Sequence, residues 1–502
     1  MIDGGVFLGR NPATGVCLEP EQLIAWMDRA SVSSVIAAHY KSIFFDFREG
    51  NEDLIGISRK YPGRILPAAI VNPSGFDLAR ENGYLRSLKK DGFRVLGFYK
   101  NPHYYPLHLE SLLVREIAAA GVRAGLVLQF GLENAKDISL VSEYYGKIKS
   151  PVLLRMTQGR GYAFYTEVLQ ALRRHPSFLL DTGSFASSGA IADLVKTLGA
   201  GRLYFSSNIP ESFTHTAKAL RETAEIKNSE KEQINRGTLA RVFKCPQKKT
   251  SLKTGESPVL KLVRTPKIDT HWHIDGWNLW EPLKNFRDYE PELRRFHLDK
   301  ILVSSIRALN YDMTGGNRTV FKLAEKEPRV HGMIVIDPAQ TQKSLAEIKK
   351  YSSHPKCAGV KTIQDLYGLR LDHAAYRPLF QSAQKQKLTV MAHIPGLLEA
   401  ARQYPGLTFV CAHSTYERVK SMFKVPNIFF DIATSHSDPV ETKLEAFIAE
   451  AGIGKILFSS DGPLISPAWT LGKLAGLNLR PGEWDRIFRL NALKAFPRLK
   501  TD

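Results

Sequence analysis

The sequence predicts an α/β protein built as two TIM-type (β/α)8 barrels in tandem. Three observations carry this reading: a length of 502 residues, a self-similarity that runs through the chain, and short apolar runs alternating with helical patterns. Single hydrophobic cores usually stop growing well below this length, so two domains are expected. With 43% hydrophobic and 10% aromatic residues there is material for both cores.

The repeat sets the boundaries. Ile2-Asp3-Gly4-Gly5-Val6-Phe7 is answered by Ile268-Asp269-Thr270-His271-Trp272-His273. Gly50-Asn51 is answered by Gly316-Asn317, and Phe178-Leu179-Leu180-Asp181 by Ile428-Phe429-Phe430-Asp431. Arg202 to Asn208 then matches Lys455 to Asp461. Order is kept throughout, as expected of collinear copies. The predicted domains are 1–243 and 268–502. Between them, 244–267 is polar and basic with Pro246, Gly255, Pro258 and Pro266, and reads as a linker.

Within the second copy, Ile301-Leu302-Val303, Met333-Ile334-Val335-Ile336, Leu388-Thr389-Val390-Met391, Leu407-Thr408-Phe409-Val410 and Ile456-Leu457-Phe458 read as strands. Near-continuous apolar strands separated by helices point to a parallel sheet covered on both faces. The length of each copy suits a closed barrel, with a doubly wound sheet as the alternative.

The formal net charge is +19. No basic stripe interleaved with aromatics, helix-turn-helix signature or zinc-finger spacing accompanies it, so a small anionic substrate is expected rather than nucleic acid. The four cysteines lack CxxC spacing, which fits a reducing compartment. The sequence shows no secretory leader and no run long enough to span a membrane, and a cytoplasmic protein is expected.

The chemistry is expected in the second copy. His271 and His273 sit at i and i+2 on its first strand, so both face one side. His393, His413 and Asp461 each end a later apolar run, where a barrel strand delivers residues to the catalytic mouth. Taken singly, each has a structural reading as a satisfied core or capping residue. Jointly they point to a common ion, because five such groups are costly to bury without a shared partner. His297, His331 and His354 are expected at the surface. Lys361, after Gly359-Val360, and Arg307 are candidate clamps for a substrate carboxylate. Trp277 and His436 are further candidate substrate contacts.

These stretches, with Phe458-Ser459-Ser460-Asp461-Gly462-Pro463 and Asn491-Ala492-Leu493, resemble the amidohydrolase superfamily. The likeness is to its amidohydrolase-related branch, which includes aminocarboxymuconate-semialdehyde decarboxylase, resorcylate-type decarboxylases and several hydrolases. The resemblance implies one divalent ion, Zn2+ or similar, held by His271, His273, His393 and Asp461. It implies His413 as acid/base, with Asp461 as an alternative base. It also marks the region of Lys361 as the place where some relatives carry a carbamylated lysine. Barrels of this branch often pair, so the chain is expected to act as a pseudo-dimer within one monomer, or as a homodimer.

In the first copy, Gly5 and Phe7 stand against His271 and His273, and Asn208 against Asp461. His393 falls against about Gln129, and His413 against Met156 or Arg155. Such a set cannot ligate zinc, and a degenerate, metal-free barrel is expected. The leading functional expectation is a metal-dependent hydrolase. Non-oxidative decarboxylation at the same site is the runner-up, and a non-catalytic binding protein the third reading.

Overall fold

β-rich runs of two to nine residues, all but the short Cys17–Leu18 strand buried along most of their length, form two separate sheets that are parallel except at that strand in the computed structural model. The structure describes residues 1–100, 107–157, 164–212, 215–245, 257–276, 285–433 and 441–501. The chain divides into two compact units, Met1–Ser257 and Pro258–Asp502. A helix at Pro258–Val263 therefore belongs to the second unit.

In the first unit, β1 (Ile2–Arg10) carries a short antiparallel partner, β2 (Cys17–Leu18). The remaining strands are β3 (Ser34–His39), β4 (Ile65–Ile70), β5 (Val95–Phe98), β6 (Val127–Leu132), β7 (Val152–Met156), β8 (Phe178–Asp181) and β9 (Leu203–Tyr204). They pair in parallel and in chain order. The sheet closes on itself where Gly4 N donates to Phe205 O at 2.8 Å and Phe7 N to Ile209 O at 3.0 Å.

The second unit repeats this with β10 (Lys267–Ile274), β11 (Leu298–Ser305), β12 (Val330–Val335), β13 (Cys357–Lys361), β14 (Thr389–Ala392), β15 (Phe409–Cys411), β16 (Ile428–Asp431) and β17 (Ile456–Leu457). Closure uses the corresponding bonds, Thr270 N to Phe458 O at 3.2 Å and His273 N to Gly462 O at 2.6 Å. Each unit is a (β/α)8 barrel, as the alternation of strand and helix patterns predicts.

Every strand of the second barrel gives one buried residue to a common core: Ile268, Leu302, Met333, Ala358, Met391, Val410, Phe429 and Leu457. Side chains alternate along a strand, so the next same-face positions lie two residues toward the C-terminal rim. His331 departs from expectation: it lies within β12 and is buried, because the run that forms the strand begins earlier than its apolar stretch.

The barrels share more than topology. Asn51 brackets Ile70, donating to its carbonyl and accepting from its amide, and Asn317 does the same to Val335. Each asparagine locks a helix to the end of a strand by satisfying both backbone groups.

Candidate metal centre

β10 delivers His271 and His273 to the inside of the rim. Asp269 fixes their height: its Oδ1 accepts from His271 N and Ser460 N, both at 3.1 Å, and its Oδ2 from Ser460 Oγ at 2.5 Å. This staple joins β10 to the segment after β17, which carries Asp461. Asp461 and His413 both adopt left-handed backbone, at φ 62° and 54°. Non-glycine residues seldom do so, and such strained positions cluster at functional sites.

The three donors converge. His271 Nε2 lies 3.1 Å from His273 Nε2, and Asp461 Oδ1 lies 3.5 Å and 3.1 Å from these two nitrogens. All three residues are buried, and they form a set of donor atoms within 4.8 Å of one another. His393 stands outside this triplet, reached through His413: ring centroids are 4.9 Å apart for His271 and His413, and 5.1 Å for His393 and His413.

The outer nitrogens are all engaged. His271 Nδ1 donates to Asp431 Oδ2 at 2.5 Å, His393 Nδ1 to Asp365 Oδ2 at 2.8 Å, and His413 Nδ1 to the Ala433 carbonyl at 2.5 Å. His273 Nδ1 lies 3.0 Å from Ser304 Oγ. An acceptor at Nδ1 sets the tautomer and leaves Nε2 as the lone-pair nitrogen.

Burial lowers the His271 imidazole to about 3 and that of His393 to about 4, so both are neutral near pH 7. Burial by itself raises Asp461 and Asp431, but the imidazoles beside them, His271 first, outweigh it and hold both carboxyls well below the usual range. Neutral imidazole and ionised carboxylate are the states that ligate a cation. His393 Nε2 is buried without a hydrogen-bond partner, an expensive arrangement for a polar nitrogen unless something else meets it. These residues fit a divalent ion with nitrogen and oxygen ligands.

Lys361, at the end of β13, is fully buried, and its Nζ lies 3.0 Å from His271 Nε2. Burial lowers it to about 8, against the raising effect of the Asp431 and Asp461 carboxylates. Arg307 is not brought to the centre. β11 ends at Ser305, and Arg307 turns outward on the helix Ile306–Asn310, where it pairs with Asp312 at 2.6 Å while about half exposed. Trp277 and His436 lie outside the described residues. Sequence reasoning passed over the partners Asp431, Asp365 and Ser304. Only Asp431 left a signal, as the last residue of a repeated motif.

An amidohydrolase family model matches residues 268–498, all of this sheet but its first residue, Lys267, and the rim residues it carries. The second barrel belongs to the amidohydrolase family. No curated protein matches the chain. Solved structures similar to part of it include 5-carboxyvanillate decarboxylase from Novosphingobium aromaticivorans complexed with manganese, at 15% identity over 43% of this chain and 81% of that one, TM-score 0.35. Another is 2,6-dihydroxybenzoate decarboxylase from Rhizobium, at 14% over 49% and 99%, TM-score 0.38. A third is a probable 2-pyrone-4,6-dicarboxylic acid hydrolase from Acinetobacter baumannii, at 12% over 48% and 98%, TM-score 0.40. In the amidohydrolase barrel of this chain, no helix among the described residues is long and apolar enough to cross a membrane, and the same holds for the first barrel.

Proposed function

We propose that the second barrel is a metal-dependent enzyme acting on a small anionic substrate, with non-oxidative decarboxylation of a carboxylic acid placed ahead of hydrolysis. The observation that carries this reading is the convergence of His271 Nε2, His273 Nε2 and the Asp461 carboxylate, with the unpartnered His393 Nε2 nearby. These four residues would hold one divalent ion, Zn2+ or Mn2+. When bound, such an ion supplies Lewis-acid stabilisation of negative charge on oxygen, or acidifies a water.

The chain's own groups do the rest. Lys361 Nζ, beside His271, adds a second positive or hydrogen-donating centre, which favours a carboxylate-bearing substrate. Loss of CO2 leaves an electron pair on the organic fragment, and fixed cations stabilise it wherever it delocalises onto a substrate oxygen. His413, with Nδ1 committed to Ala433 O, can hold or hand over a proton only at Nε2, and it is the group we assign to protonate the fragment. Hydrolysis is kept as a second reading, in which the Asp461 carboxylate, ionised at the rim, would take a proton from water.

The test is a panel of hydroxybenzoates and muconate-like acids, assayed for CO2, beside lactone, ester and amide substrates, with protein loaded with Zn2+ or Mn2+. CO2 release that disappears in His271→Ala/His273→Ala supports the first reading. Hydrolysis without CO2 release replaces it with the second, and protein that holds no ion and turns over neither class refutes both.

A further inference from the structure

The strand registers allow the two barrels to be compared residue by residue. With Asp3 set against Asp269, the cross-strand partners run in step around both sheets, so that Asp181 falls against Asp431 and Ser207 against Ser460. The same register sets Gly131 against His393, two positions beyond the residue expected from sequence, and Met156 against His413. Gly97 takes the place of Lys361, and Asn208 that of Asp461 with the same left-handed backbone, φ 56°.

The frame of the site is shared. Asp3 Oδ1 accepts from Gly5 N and Ser207 N, both at 3.0 Å, as Asp269 does from His271 N and Ser460 N. The ligands are not: Gly5, Phe7, Gly131 and Asn208 replace His271, His273, His393 and Asp461. Glycine and phenylalanine side chains cannot ligate, so this set does not fit a divalent ion.

The space those side chains would occupy is filled. Arg155, which stands against Ala412, is fully buried, and its Nε donates to Asn208 Oδ1 at 2.8 Å and its guanidinium to Gly5 O at 3.1 Å. The guanidinium carbon lies 4.4 Å from the centre of the Phe7 ring. A Cβ added to Gly5 would come within 2.4 Å of Arg155 Nε, and one added to Gly131 within 2.4 Å of the Tyr99 ring. Tyr99 in turn accepts from Arg155 at 3.4 Å and donates to Gln129 Oε1 at 2.6 Å, and Gln129 donates to Gly4 O at 2.7 Å.

We propose that Arg155 is a built-in substitute for the ion in the first barrel, which binds no divalent metal and is held at its rim by this guanidinium instead. Arg155 is tethered to β7 and ties β1, through Gly5, to the segment after β9, through Asn208. In the second barrel the corresponding two segments meet through His271, His273 and Asp461. A planar guanidinium suits the exchange: it is always charged, donates in fixed directions and stacks on aromatic faces, here Phe7. Buried Asp3 and Asp181 lie in its field, which lowers both carboxyls against the larger, raising effect of burial.

Two experiments on the full chain test this. The first incubates His271→Ala/His273→Ala with excess Mn2+ or Zn2+, desalts it and measures metal; no stoichiometric ion is expected, and one retained equivalent overturns the proposal. Absence of metal from the wild-type chain as well would defeat the reading of the second barrel and leave this one standing. The second follows hydrogen exchange in Arg155→Ala. Exchange in β1 and β7 is expected to rise on the order of a hundredfold, the scale for removing one partner of a buried charge network. Millimolar guanidinium should restore protection and Mn2+ should not. Unchanged exchange, or rescue by Mn2+, overturns the proposal. If that variant does not fold, Arg155→Lys keeps the charge without the fork, and wild-type protection in it would overturn the proposal equally.

Discussion

Replacing Asp431 by asparagine isolates the support of a single ligand. Asp431 accepts from His271 Nδ1 at 2.5 Å, Ser459 Oγ at 2.5 Å and Ala433 N at 2.6 Å, and it is wholly buried. The side-chain amide introduced by Asp431→Asn would retain one acceptor oxygen but lose the charge, so His271 would no longer face a carboxylate that fixes its tautomer and strengthens its Nε2. Loss of such an outer partner typically weakens metal binding by about 10- to 100-fold, or about 1.4 to 2.8 kcal/mol. The upper part of that range is expected here, because no solvent screens the contact. The assay is competition for Mn2+ or Zn2+ against a fluorescent chelator at fixed pH, with the unfolding midpoint recorded alongside. Ser459→Ala serves as control, since it removes a neighbour of Asp431 and leaves His271 untouched. Wild-type metal affinity in Asp431→Asn, or an equal loss in Ser459→Ala, would refute the assignment of Asp431 to positioning His271.

Other outcomes follow from the same geometry. Asp365→Asn should weaken metal binding by about tenfold or less in the same assay, because the Asp365 side chain is 47% exposed and water screens its contact with His393; a loss exceeding that of Asp431→Asn would contradict this. Burial raises Asp181 to about 7 and Asp3 to about 6, above an unfolded value of about 3.9. The folded first barrel thus keeps protons that the unfolded chain has released, so these groups stabilise it fully below about pH 4 and less as pH rises through about 7. Exchange protection of β8, corrected for intrinsic rates, should be higher at pH 5 than at pH 8, and Asp181→Asn should flatten the difference. Gly131→Ala should destabilise the first barrel by about 1–3 kcal/mol by crowding Tyr99, measured as a lower denaturation midpoint; an unchanged midpoint would mean that the Tyr99 ring can move aside. Lys361→Met should reduce binding of carboxylate inhibitors to metal-loaded protein, read as a higher inhibition constant with metal content unchanged.

The two-barrel fold, the collinear repeat and the strand ends that carry His271, His273, His393, His413 and Asp461 can be read from the order of residues alone. These are legible because strand periodicity and apolar runs are local, and a barrel places each strand end at one rim. The packing of the closed barrel sets which acceptor meets each imidazole, turns Lys361 inward at His271 and turns Arg307 outward. Packing likewise brings Arg155, 150 residues from Gly5, into the first barrel's rim. Those outcomes depend on side chains meeting across a closed sheet, where burial and the acceptor at hand decide a group's state, and neither quantity is encoded in the spacing of residues along the chain.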